Sequence, residues 1–264
     1  MYQGKVPKDM NLVADVGNTV VKTGVFEKRN LVLTGEFATQ PRKELDEWGI
    51  LLSSWIGESG REIKISKAMI CSVVTSVVSP LKKAIEKYFR VPAFEIEAEK
   101  VGIPLLCDNP WEVGADRIAN VVAAAQLYKL PAIVIDFGTA TTFDVISEKG
   151  EYLGGVIAPG VRTAMESLAE KTEALFPVDF KKPASVIGKN TKDGLRAGLF
   201  YQCLGGVREI IRGIKKELGK EVKVIATGGI GLLLGEECAE IDEIDPVLTL
   251  EGLNFIVEKW PDRS

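Results

Sequence analysis

Two short stretches of this chain join an aspartate to the kind of backbone that binds phosphate. Leu12-Val13-Ala14-Asp15-Val16-Gly17-Asn18-Thr19 and Ile133-Val134-Ile135-Asp136-Phe137-Gly138-Thr139-Ala140-Thr141 each run an apolar β-like segment into Asp, one residue, Gly, and then small residues rich in hydroxyl or amide groups. A turn of that type sets a carboxylate beside several backbone N–H groups, with no Cβ at the glycine to block close approach. The amides can hold phosphate oxygens while the aspartate holds a hard cation, directly or through water. Asp15 and Asp136 each end an apolar run, where an unpaired carboxylate is unfavourable to bury, so a cation or backbone amides should satisfy them. The plain alternative is two unrelated β-hairpins, each with a glycine turn. A third candidate is Gly114-Ala115-Asp116-Arg117. An ordinary aspartate is ionised at neutral pH and can accept a proton from a hydroxyl, and Arg117 offers a planar donor fork to a carboxylate or phosphate. Equally, Asp116 and Arg117 could be a solvated pair in an early helical turn.

Two other glycine segments fall short of phosphate motifs. Gly188-Lys189-Asn190-Thr191 has Pro183 where a P-loop needs its first glycine, and Asn190 where it needs Ser or Thr. Gly229-Ile230-Gly231 finds its third glycine, Gly235, one position late for a dinucleotide fingerprint. Ala226-Thr227-Gly228-Gly229 reads better as a small-residue turn against which a base or ribose can lie.

Composition narrows the chemistry further. The 264-residue chain contains no histidine, which excludes Ser-His-Asp and Cys-His nucleophilic catalysis and histidine-ligated zinc. Any catalysis runs on carboxylates, hydroxyls, Lys, Arg, backbone amides or an oxygen-held metal. A net charge of -4 with interspersed signs offers no basic footprint for nucleic acid and no polybasic segment for a membrane, so small molecules are the expected partners. Cys71, Cys107, Cys203 and Cys238 lie far apart without a C-x-x-C pair, which fits reduced thiols better than a disulfide framework. No apolar run reaches roughly 18 residues, and no signal core follows the polar N-terminus, so a cytoplasmic location is expected.

The elements that must position these residues follow from periodicity. Runs at 12–16, 20–26 and 31–37 form a β-meander, 43–56 reads as a helix and 67–74 as a strand. Ser79 and Pro80 read as the N-cap and first position of a helix ending at Phe89, and Asn109-Pro110-Trp111-Glu112 as the start of one reaching about Tyr128. The meander recurs at 133–137, 141–147 and 152–157, before a helix-rich stretch and a strand at 222–227. Strands first and helices later, twice, predict two α/β domains with mixed sheets. The offset of 121 positions between Asp15 and Asp136 points to duplication rather than a solenoid. Trp48 and Trp55 read as packing, and Glu236-Glu237 with the acidic stretch from Glu240 to Asp245 as a solvated face.

Taken together, Asp15-Val-Gly-Asn-Thr19, Gly114-Ala-Asp-Arg117, Asp136-Phe-Gly-Thr-Ala-Thr-Thr142, Gly154-Gly-Val-Ile-Ala-Pro-Gly160, Gly188-Lys-Asn-Thr191 and Thr227-Gly-Gly229 resemble, in order and spacing, type III pantothenate kinase. The resemblance runs from about Met10 to about Ile256. It implies an α/β fold of two ribonuclease-H-like (actin-like ATPase) domains with mixed β-sheets flanked by helices, here 10–126 and 127–264, with the active site in the cleft between them. It also implies a cytoplasmic homodimer and ATP-dependent phosphorylation of (R)-pantothenate to 4'-phosphopantothenate, the first step of coenzyme A biosynthesis. The alternatives are another small-molecule kinase of the same superfamily and a non-catalytic regulatory accessory factor.

Carried over by position, Asp15, Val16, Gly17, Asn18, Thr19, Val20, Val21 and Lys22 match the first phosphate loop that binds ATP, with Asp15 associated with Mg2+ through water. Thr139 matches a second ATP contact, and Asp136 the ligand of a monovalent cation, K+ or NH4+. Gly114, Ala115, Asp116 and Arg117 match the substrate motif, with Asp116 the general base. Thr191 matches a pantothenate contact, in many members near the dimer interface. The chain departs from the family at Cys107, where many members carry a Tyr that contacts pantothenate; a thiol reproduces neither the reach nor the hydrogen bond of a phenol. Residues 1–9 read as an extension ahead of the family's usual start.

Overall fold

The computed structural model describes residues 9–261. Alternating apolar residues build an antiparallel meander of β1 (Asp9–Val16), β2 (Val20–Glu27) and β3 (Asn30–Ala38). Then come α1 (Leu45–Glu58), β4 (Lys64–Ser72), α2 (Thr75–Phe89), β5 (Ala93–Glu95) and the one-turn α3 (Ala98–Val101). The sheet order is β3-β2-β1-β4-β5, with β4 parallel to both β1 and β5. A 3-10 turn at Pro110–Glu112 precedes α4 (Ala115–Leu127). The second half repeats the plan with β6 (Ala132–Phe137), β7 (Ala140–Ile146) and β8 (Tyr152–Pro159), then α5 (Val161–Glu170), α6 (Thr191–Leu218), β9 (Lys223–Gly228), α7 (Gly231–Glu237), β10 (Glu243–Ile244) and α8 (Leu248–Lys259). Its sheet order, β10-β9-β6-β7-β8, is that of the first sheet read from the opposite edge. The repeated Asp-x-Gly element is therefore the first turn of a repeated topology.

Two compact units emerge, and they do not divide the chain at a single point. Among the described residues, one holds 9–103, 108–123 and 248–261, and the other holds 104–107 and 124–247. The division expected at 126/127 leaves α8 with the second half, whereas α8 packs on β1, β2 and β4. The reason is an uncovered sheet face. α1 and α2 cover one side of the first sheet with Trp48, Leu52, Leu81 and Ile85. The other side, carrying Val13, Met69 and Cys71, is closed by Ala119 and Val122 of α4 together with Leu250, Leu253 and Ile256 of α8. Asn254 pins α8 in place, donating to the Lys28 carbonyl at 2.8 Å and accepting from Asn11 at 3.0 Å. In the second unit, Ile133, Ile135 and Phe143 pack against Phe200, Leu204 and Val207 of α6.

Three local expectations are corrected. α2 starts at Thr75, not at Pro80, because Val77 and Val78 are buried with Leu81, and the Ser72 hydroxyl turns the chain early by accepting the Val74 N–H at 2.8 Å. Pro80 then lacks only the bond that would run to Ser76, an exposed residue whose carbonyl can face water. Asn109 makes no side-chain cap, and the helix expected from Pro110 stops after one 3-10 turn. The acidic stretch after Glu240 is structural rather than solvated. Asp242 accepts the Val224 N–H at 2.7 Å, the buried Asp245 accepts the Tyr128 hydroxyl at 2.8 Å, and Glu240 pairs with Arg208 and Arg212.

Trp48 is buried and Trp55 meets Phe37 edge-on, so both pack as expected. The four cysteines are free. Among the described residues no helix is long and apolar enough to cross a membrane. The extension read at residues 1–9 lies, but for Asp9, outside the described residues.

Candidate active site

Asp15 is the last-but-one residue of β1, opposite Lys22 on β2 and opposite Cys71 on β4. The two-residue period of a strand puts Val13 and Asp15 on the face that α4 and α8 cover. At the strand end, where helix cover thins, the inward position is a half-buried carboxylate. Cys71 Sγ donates to Asp15 Oδ1 at 3.2 Å. The turn that follows is tight: the Gly17 N–H donates to the Val20 carbonyl at 3.0 Å, and a Cβ on Gly17 would lie 3.1 Å from that oxygen. Thr39 straps it down, its hydroxyl donating to the Gly17 carbonyl at 2.7 Å and its N–H to the Thr19 carbonyl at 2.9 Å. Asn18 and Thr19 remain exposed at the tip, while Val16 and Val21 are core.

Asp116 lies in the first turn of α4, half-buried, with Oδ1 accepting the Arg117 N–H at 2.8 Å. This explains the break after Pro110–Glu112. A helix running unbroken from Pro110 would set Asp116 in its second turn, away from the free N–H groups, whereas a start at Ala115 puts its carboxylate at the positive end of the helix. Gly114 makes that rotamer possible, since a Cβ there would stand 2.5 Å from Asp116 Oδ1. Cys71 donates to the Asp15 carboxylate and lies within electrostatic reach of that of Asp116. Burial pushes its thiol well above the usual range, and the charges of Asp15 and then Asp116 push the same way. Asp15 and Asp116 thus share one neighbourhood in the first unit.

The second unit carries a turn of the same kind. Asp136 is the last-but-one residue of β6, opposite Thr142 on β7 and Thr227 on β9. The Thr142 hydroxyl is buried with no hydrogen-bond partner among the described residues. Gly228 adopts φ +89°, and a Cβ there would come within 2.6 Å of Asp136 Oδ1. In the turn, the Gly138 N–H donates to the Ala140 carbonyl at 3.0 Å. Thr139 is exposed, and its carbonyl accepts the Gly160 N–H at 3.1 Å and the Thr163 hydroxyl at 2.7 Å. Thr163 thus does for this turn what Thr39 does for the first.

Of the remaining expected residues, Thr191 is the exposed first residue of α6. The segment that imitated a P-loop is the cap of that helix, with Asn190 Oδ1 accepting the Asp193 N–H at 2.9 Å. Cys107, half-buried, belongs to the short strap 104–107 that joins the second unit, where Leu105 bridges Tyr152. Sequence reasoning missed Cys71, Thr39, Thr163 and the conformational demand at Gly228. A threonine shortly after each meander was the available signal for Thr39 and Thr163.

Residues 11–213 match the family model described as type III pantothenate kinase. The type III pantothenate kinase of Myxococcus xanthus is 45% identical over 249 residues, covering 94% of this chain and 97% of that protein. That of Streptomyces griseus is 44% identical, covering 97% and 100%. In fold, the ROK hexokinase of Thermus thermophilus is similar with a TM-score of 0.51 at 13% identity, over 94% of this chain and 97% of that one. Two mixed sheets of one order, each flanked by helices, are the repeated ribonuclease-H-like plan of such kinases.

Proposed function

The chain belongs to the type III pantothenate kinase family and phosphorylates pantothenate with ATP, and from that premise we propose that Asp116 is the general base and that Asp15 and Asp136 are the cation-associated carboxylates. The observation that carries this reading is the room made for each carboxylate: Gly114 and Gly228 leave the space that the Asp116 and Asp136 carboxylates occupy, and Cys71 donates to that of Asp15.

The residues fit the cations that such a reaction uses. Asp15 offers a half-buried carboxylate beside the Gly17 turn, the single hard-oxygen contact with which Mg2+ is typically held when it keeps waters and phosphates as its other ligands. Asp136 and the unpartnered Thr142 hydroxyl face one side of their sheet, which Gly228 leaves open. Two oxygen atoms of this kind suit a monovalent cation, K+ by coordination or NH4+ by accepting its hydrogen bonds. When bound there, the cations would neutralise charge on the phosphates.

The turns at 16–22 and around Thr139 hold phosphate oxygens on backbone N–H groups. Arg117 and Thr191 bind pantothenate, with Gly114 and Ala115 shaping the approach to its primary hydroxyl. As that oxygen bonds to the γ-phosphorus and the bond to the ADP oxygen breaks, the hydroxyl proton passes to the Asp116 carboxylate. The protein acts in the cytoplasm as a homodimer; Ile157, Phe176, Val186 and Ile187 are exposed in the second unit and supply apolar surface for a second copy.

The test is turnover by purified protein. ADP forms only when pantothenate is added, and faster with K+ or NH4+ than with Na+. Asp116→Asn lowers kcat by about a hundredfold or more, the scale of general-base catalysis, while its melting temperature holds. A fully active variant overturns the assignment.

A further inference from the structure

β4 delivers a thiol to the strand end where an aliphatic side chain would fill the same space. Cys71 is 1% exposed and shares its cluster with Val13, Met69 and Phe94. Nothing about packing there calls for a donor, yet the S–H is aimed at a carboxylate. Parallel register sets Cys71 directly beside Asp15, and Sγ donates to Oδ1 at 3.2 Å. Because Cys71 is held by the core around it, its bond restrains one oxygen of Asp15 and so favours one orientation of the carboxylate. A thiol is a weak donor, so it orients the group while drawing little of its negative charge away.

We propose that Cys71 is a positioning residue for phosphoryl transfer, its buried S–H holding the Asp15 carboxylate in the orientation that receives the nucleotide with its divalent cation. This rests on the reading of Asp15 as a cation-associated carboxylate. Cys71 touches neither substrate nor the reacting atoms; it acts through Asp15.

The experiment is calorimetric titration of ADP into the full-length protein with and without Mg2+, for the wild type, Cys71→Ala, Cys71→Ser and Asp15→Asn, with steady-state kinetics alongside. Cys71→Ala weakens ADP binding about tenfold in Mg2+, the scale of one hydrogen bond to a charged group, and by less than about twofold without Mg2+. KM for ATP rises and KM for pantothenate stays put. Cys71→Ser, which restores a donor, returns the Mg2+-dependent affinity to within about threefold of wild type. If alanine disturbs folding, as far-UV circular dichroism would show, Cys71→Val fills the volume without a donor and takes its place. Wild-type ADP affinity in the donor-less variant overturns the proposal, as does equal weakening by serine and alanine, which would make the role one of packing. Asp15→Asn separates the two readings. If it leaves Mg2+-dependent affinity intact, the assignment of Asp15 itself falls. If it abolishes that affinity while Cys71→Ala does not, only the role of Cys71 falls.

Discussion

Gly114 and Gly228 perform the same task for two different aspartates. Each lacks the Cβ that would stand against the carboxylate oxygen, 2.5 Å from Asp116 in one case and 2.6 Å from Asp136 in the other. Gly114→Ala must swing the Asp116 carboxylate away from its place over the α4 N-terminus. Misplacing a base by about 1 Å can cost on the order of a hundredfold, so kcat should fall between about tenfold and a hundredfold. KM for ATP should stay near wild type, because the turn after Asp15 is untouched. Steady-state kinetics check this, and an unchanged kcat would refute it. The three aspartates were legible in the sequence because each sits in a short, contiguous pattern with glycine. Cys71 was not, because its role depends on a strand register linking it to a residue 56 positions away. A generic buried thiol and a thiol aimed at a carboxylate look alike in one dimension.

At the scale of elements, both meanders and their repeat were legible, since a period of two with glycine turns is a local signal. The helix starts were not. Asn109-Pro110 and Ser79-Pro80 carry good local start signals, but burial of Val77 and Val78 pulled one helix forward and the demand of Asp116 for a helix N-terminus pushed the other back. The destination of α8 was equally hidden, since nothing in its own residues says which sheet lacks a cover. Its contact with α4 is close: a Cβ on Gly252 would run into the Ala119 carbonyl. Thr249 also donates to Asn120 Oδ1 at 2.8 Å across the same contact. Gly252→Ala therefore forces the two helices apart and should destabilise the protein by about 1–3 kcal/mol, the usual range for an overpacked core. Urea denaturation measures it, and a midpoint equal to wild type would rule out the close contact.

For the molecule as a whole, the thiols set an alkaline limit. Cys203 is pushed up to about 11 from an ordinary 9.0, by burial first and then by the neighbouring Cys238. Burial raises Cys238 and Cys71 as well. An acid whose pKa is higher in the folded chain binds more protons there than when unfolded, so its contribution is complete below pH 9 and is lost as pH climbs toward 11. Urea midpoints should hold from pH 7 to 8.5 and fall between pH 9 and 11, with a shallower fall in Cys203→Ala. A midpoint flat across that window would contradict the buried, protonated state of these thiols.

The composition of the first unit also sets an order of events on the ribosome. Its strands leave the exit tunnel early, but the helix that closes the Val13 and Met69 face is encoded after all of 124–247. At synthesis rates of about 5–20 residues per second, that apolar face waits several seconds for its cover, while the almost contiguous second unit can complete itself first. A chain halted before residue 248 would hold a finished second unit beside a first one open on one side.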